Sequence, residues 1–175
     1  KLYYISGSTI PSNRANSVHV MKMCQAFARL GAWENITLYD RLGKKDCDPG
    51  EYNDVEKNFD LELVPTFSLP VIGGIQRIYK TWSRVRKKGF PDLFYGRDVY
   101  GLSMLSMTGN PLFIECHQIP AGGQKQEFQR ILKSKSFRGC VVISQALKDD
   151  LCAAFEGLES DKVLVAHDGK KKKKP

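Results

Sequence analysis

The chain has 175 residues, 42% hydrophobic and 10% aromatic, enough for one domain with a substantial core. Its formal charge of +8 misleads, because five of its 27 basic residues form the terminal run Lys170–Lys174. The body is only mildly basic against 19 acidic residues, which removes most of the case for a nucleic-acid partner. No apolar run approaches the ~18–20 residues needed to cross a bilayer. The five cysteines, Cys24, Cys47, Cys116, Cys140 and Cys152, include no C-x-x-C pair, and all but Cys47 lie in apolar surroundings. Small buried thiols in a reducing, cytoplasmic setting are the expectation, rather than a disulfide framework or a zinc site.

Leu2–Ile5 reads as a strand that opens the sequence directly, without signal-peptide features, and ends in a turn at Ser6-Gly7-Ser8. A polar loop to Asn13 leads to a helix over 16–30, with Val20, Met21, Cys24 and Phe27 at helical spacing and Gly31 as its stop. Residues 36–39 form a second strand, and 44–58 a charged surface excursion with a turn at Asp48-Pro49-Gly50. Residues 61–67 form a third, weaker strand; Gly73-Gly74 then precede a helix over 75–88 that Gly89 closes. Strands follow at 92–95, 112–116, 140–143 and 163–165, with helices at 99–107, 124–135 and 146–158 between them. Short strands rich in Val, Ile, Leu and Phe, alternating with helices, predict a parallel sheet covered on both faces. The fold class is therefore α/β, a doubly wound Rossmann-like domain over 1–169, with 170–175 as a basic tail.

In such a sheet ligands bind beyond the carboxyl ends of the strands. The run Leu112-Phe113-Ile114 stops there at Glu115 and His117, which alternate with Cys116 and so share one face. Glu115 can accept from a ligand hydroxyl or pair with a nearby base. His117 is either a ligand contact or a structural histidine that caps the strand. The loop 8–17 precedes a helix start, whose free N–H groups suit a phosphate; Ser8, Asn13, Arg14 and Asn16 are its candidate contacts, with capping by Ser12 or Asn13 as the alternative. Arg97 and Asp98, just past the fourth strand, are substrate contacts or a local salt bridge. Ser144 lines the cleft or caps the following helix. His19, inside a helix, reads as packing or as a partner to a neighbouring carbonyl; no histidine stands at metal-ligand spacing, and no metal site is expected. Ser6-Gly7-Ser8 does not make the glycine fingerprint of a dinucleotide site. Ile75, Ile78, Tyr79, Trp82 and Val85 share a helical face, with Arg77, Lys80, Arg84, Arg86, Lys87 and Lys88 elsewhere on the same helix. That pattern suits packing on the sheet, with the charges in solvent, or peripheral contact with an anionic membrane.

Five segments in order resemble glycosyltransferase family 4: Arg14–Val20 with its continuation Met23–Gly31, Asp92–Arg97, Pro111–His117, Cys140–Leu147 and Lys162–Gly169. Many family members carry a Gly-Gly pair in the first loop, where this chain has Arg14-Ala15. The resemblance implies the amino-terminal, acceptor-side half of a retaining enzyme with the two-domain B-type fold. It implies transfer of a hexose from a nucleotide-sugar to a glycan, lipid-linked or small-molecule acceptor, with no cofactor beyond that donor. It places His117 against the donor sugar, with Arg97, Glu115, Ser144 and the first loop shaping the cleft. The carboxy-terminal domain that grips the nucleotide is not in this sequence, so the chain alone is expected to be inactive. The competing readings are a complete Rossmann-like nucleotide-binding enzyme, such as an oxidoreductase, and a basic adaptor for membrane or nucleic acid.

Overall fold

The computed structural model describes residues 1–43, 46–67 and 69–166; the boundary at 169, the tail 170–175 and His167 lie outside them. In chain order the elements are β1 (Leu2–Ile10), α1 (Ala15–Arg29), β2 (Ile36–Leu42), α2 (Pro49–Asn53), β3 (Asp60–Val64), α3 (Pro70–Lys88), β4 (Leu93–Gly96) and α4 (Val99–Leu105). There follow β5 (Leu112–Cys116), α5 (Gly123–Lys133), β6 (Phe137–Val142), α6 (Gln145–Ala154) and β7 (Val163–Val165). All seven strands form one sheet in the order β3-β2-β1-β4-β5-β6-β7, and every pairing is parallel. This is the doubly wound Rossmann-like α/β fold.

The chain winds outward from β1 to β3, crosses back through α3 to β4, and winds outward again to β7. Right-handed crossovers then place α1 and α2 on one face and α3 to α6 on the other. The core divides accordingly. Leu2, Tyr4, Leu38 and Tyr95 pack with Val20, Met21 and Cys24 of α1. Tyr3, Ile5, Phe94 and Ile114 pack with Val85, Leu102, Phe128, Ile131 and Leu151 of the other helices. On the α1 face, where α1 reaches β5 through His19, the cover thins from β5 toward β7. There Phe113 and Val141 are half-buried, and Leu164, in register with Val141, is 64% exposed.

Several boundaries differ from the sequence reading: β2 runs on to Leu42, β3 ends at Val64, β6 begins at Phe137 and α6 ends at Ala154. At two others, β1 and α3, the physical reason is visible. Ser6-Gly7-Ser8 does not end β1. Pairing with β2 runs through Ile5 against Tyr39, breaks, and resumes at Thr9 against Arg41. Gly7, at φ 74, supplies the left-handed backbone of this bulge. The polar groups there turn inward: the Ser6 hydroxyl donates to buried Asp40, and the Ser8 N–H donates to Ser6 Oγ at 3.0 Å.

The second difference is α3, which begins at Pro70 and contains Gly73-Gly74. Gly73 lies so close to the Phe67 carbonyl oxygen that a Cβ would collide with it. The expected buried stripe is split. Gly73, Arg77, Thr81 and Val85, four residues apart, face inward. Ile75 and Tyr79 are 65% and 69% exposed, beside exposed Phe67, Leu69, Val71 and Ile72. The buried carboxylate of Asp98 draws the Arg77 guanidinium under the helix, and the apolar residues opposite it turn to solvent.

Candidate active site at the carboxyl edge of the sheet

Glu115, near the end of β5, projects to the α1 face and is nearly buried. Its Oε1 accepts from Nε2 of His19 at 3.0 Å and from Nε2 of His117 in a shorter contact. Its Oε2 accepts from the Tyr4 hydroxyl of β1 at 2.8 Å. An ionised carboxylate carries no proton, so both imidazoles present Nε2–H to it. The two rings meet edge to face, with centroids 5.3 Å apart. Burial works to raise the Glu115 carboxyl, but the hydrogen bonds from His19, His117 and Tyr4, with the charge of His19, outweigh it and hold the pKa at about 2. Burial and the adjacent Glu115 push the Tyr4 phenol well up, so it stays a hydrogen-bond donor.

His117 follows β5 directly, with its ring partly exposed. Arg97, Glu115, Cys116, His117, Gln118 and Gln124 line a recess of about 210 Å³ at the ends of β4 and β5. The backbone there is tight. The N–H groups of Arg97 and Asp98 both donate to the Ile5 carbonyl, at 3.0 and 3.2 Å. A Cβ at Gly96 would collide with that same oxygen, so glycine lets β4 end against β1 at the point where the sheet order reverses.

A second polar cluster underlies this edge. Arg77 donates to Asp98 Oδ2 at 2.5 Å, and both side chains are buried. Burial opposes the Arg77 charge, but Asp98 and then Asp40 outweigh it and raise its pKa. Asp98 also caps α4 by accepting from the Gly101 N–H at 3.2 Å. Asp40, at the end of β2, accepts from the Ser6 hydroxyl and from the Arg41 N–H at 2.8 Å. Its burial outweighs these bonds and lifts its pKa to about 7.

Of the candidates read from sequence, Arg97, Glu115 and His117 come together in the recess. Both Glu115 oxygens accept from protein donors, one of them His117, so Glu115 pairs with a nearby base as well as lining the recess. Asp98 does form a salt bridge, but with Arg77 of α3 rather than its neighbour Arg97. Ser8 is buried within β1, while Asn13, Arg14 and Asn16 are exposed around the start of α1. Arg14 occupies the N-cap position without a side-chain cap bond; Ser12 Oγ accepts from the Arg14 N–H at 3.2 Å. Ser144 caps α6 by accepting from the Leu147 N–H at 3.2 Å, which is the structural alternative.

The sequence reading missed His19, Tyr4, Asp40 and Arg77. For His19 a usable signal existed. In a doubly wound sheet the first turns of the helix after β1 lie at the carboxyl edge, so a titratable residue there shares the ligand edge. Its reading as packing is therefore corrected. So is the reading that no histidine joins a cluster of metal-ligand type, since one ligand atom from each of His19, Glu115 and His117 lies within 4.8 Å of the others. Spacing along the chain could not show this, because His19 and His117 come from α1 and the β5 edge. No helix among the described residues is long and apolar enough to cross a membrane.

Neither a protein-family model nor a curated protein matches the chain. Among solved structures it is similar to the apo form of the lipopolysaccharide outer core galactosyltransferase WaaB, with a TM-score of 0.66 at 12% sequence identity. The similarity covers 99% of this chain and 47% of that one, so the chain shares its fold with, and spans about half the length of, a galactosyltransferase.

Proposed function

We propose that the chain is the amino-terminal, acceptor-side domain of a retaining, family 4-like glycosyltransferase of the two-domain B-type fold, transferring a hexose from a nucleotide-sugar in the cytoplasm. The observation that carries the proposal is His117. Its imidazole stands at the carboxyl edge of β5, lines an open recess with Arg97, and is held from behind by a buried carboxylate. The fold shared with a galactosyltransferase over 99% of the chain supports the same reading.

In this reading Glu115 sets the chemistry of His117. Nε2 is turned to the carboxylate, which leaves Nδ1 for the sugar. A neutral ring accepts from a sugar hydroxyl through Nδ1, whereas a protonated ring donates, its charge balanced by Glu115. Preorganisation of this kind is worth most in a site closed from water, and the opposing wall would come from the carboxy-terminal domain. Arg97 contributes a charge to donor phosphate or sugar, and exposed Asn13, Arg14 and Asn16 at the start of α1 are the further candidate contacts. The exposed apolar residues of α3, with exposed Arg86 and Lys87, favour an additional peripheral contact with an anionic membrane through residues 75–88.

The test is transfer by the longer parent protein supplied with nucleotide-hexoses. His117→Gln should lower kcat by about a hundredfold with KM for the donor little changed. The 175-residue chain alone should show no turnover. Full activity of the His117 variant would rule out the role given to the ring.

A further inference from the structure

We propose that His19, Glu115 and His117 form a binding site for one divalent transition-metal ion of the zinc class. Two imidazoles and one carboxylate are borderline-to-hard ligands, a set that suits Zn2+, Co2+ or Ni2+ rather than Mg2+ or Ca2+. Metal bonds of about 2 Å place ligand atoms of a tetrahedral ion roughly 3–3.5 Å apart. The three ligand atoms already lie within 4.8 Å of one another, and His19 Nε2 stands 3.0 Å from Glu115 Oε1. Binding an ion requires the His117 and Glu115 side chains to move apart from their present short contact. Three different elements deliver these groups: α1, β5 and the residue following β5.

The surroundings are those of a supported ligand set. Tyr4 donates to Glu115 Oε2 at 2.8 Å, which leaves Oε1 aimed at both rings. Outer contacts of this kind orient ligands, and losing one typically weakens metal binding about 10–100-fold. Both histidines are partly exposed, at 28% and 22%, so an ion can enter, while Glu115 at 5% anchors the floor. On coordination each ring gives Nε2 to the ion, so the proton now facing Glu115 moves from Nε2 to Nδ1 or leaves to solvent. Three protein ligands leave a position open toward the recess, where Arg97 favours water or an anionic oxygen as the fourth ligand.

The test uses the whole chain carrying Cys47→Ser, which removes the exposed thiol as a rival ligand. Isothermal titration with ZnCl2 and visible absorption with CoCl2 should report one ion per chain with a micromolar or tighter Kd. His19→Gln and His117→Gln should each weaken binding at least about tenfold, and Tyr4→Phe about tenfold. Circular dichroism establishes that each variant is folded. Independently of any variant, Co2+ should broaden the imidazole resonances of both His19 and His117. Absence of binding at millimolar metal, affinity unchanged in both histidine variants, or unperturbed resonances of the two rings would each overturn the proposal.

Discussion

Glu115 is the residue on which the site turns. Three donors from α1, β1 and the β5 edge converge on its two oxygens, and no solvent replaces them at 5% exposure. Glu115→Ala should therefore cost about 2–4 kcal/mol in urea unfolding, because it strands the buried Tyr4 hydroxyl as well as removing the bonds from both histidines. Glu115→Gln, which keeps one acceptor oxygen, should cost less. Asp40 makes a different claim. Its folded-state pKa of about 7 lies above the ordinary value near 4. Between those values the folded protein holds a proton that the unfolded chain has lost. Stability should therefore fall by up to about 4 kcal/mol as pH rises from about 4 to about 7, then level off. Asp40→Asn should flatten that slope in denaturation curves recorded across the same range; an unchanged slope would assign it to other groups. The strand-end positions of Glu115 and His117 were legible from an apolar run that stops at polar residues. Their partners were not, since His19 and Tyr4 lie 96 and 111 residues from Glu115 along the chain.

Helix α3 shows how far amphipathic pattern reaches. The sequence has one apolar stripe, and packing on a sheet is the usual use of such a stripe. Here the inward side is claimed by Arg77, whose ion pair with Asp98 is buried under the helix. Of the charges expected in solvent, Arg77 is buried, Arg84 pairs with Glu62, Lys88 pairs with Asp60, and Lys80 donates to the Pro65 carbonyl. Arg77→Ala should destabilise the domain by about 3–5 kcal/mol, since it leaves the buried Asp98 carboxylate without its counter-ion. Asp98→Asn combined with Arg77→Met should recover much of that loss in the same unfolding assay. On the outer side, Ile75→Asp with Tyr79→Asp should leave stability nearly unchanged but reduce co-sedimentation with anionic vesicles. Co-sedimentation undiminished by that double substitution would remove α3 from any membrane contact. The strands were easier to read: β5 and β7 fall at the expected residues, because short β-branched runs between polar turns have few other uses.

The molecule as a whole is unevenly covered. Among the described residues two helices flank one face of the sheet and four the other, as the strand order and right-handed crossovers require. The test is a pair of substitutions. Ile114→Ala, in the buried core between β5 and the α3–α6 layer, should cost about 2–5 kcal/mol. Leu164→Lys, on the sparsely covered face, should change stability by no more than about 0.5 kcal/mol. Composition and periodicity alone decided the fold class and the edge at which ligands should bind, because burial on both faces leaves its mark on every strand and helix. The composition of the cluster around Glu115 was settled only by tertiary structure. The sheet order reverses between β1 and β4, and this brings Tyr4, His19 and the end of β5 to one edge. Neither their contacts nor the inward turn of Arg77 follow from local pattern, because both depend on which distant carboxylate each group finds when the sheet closes.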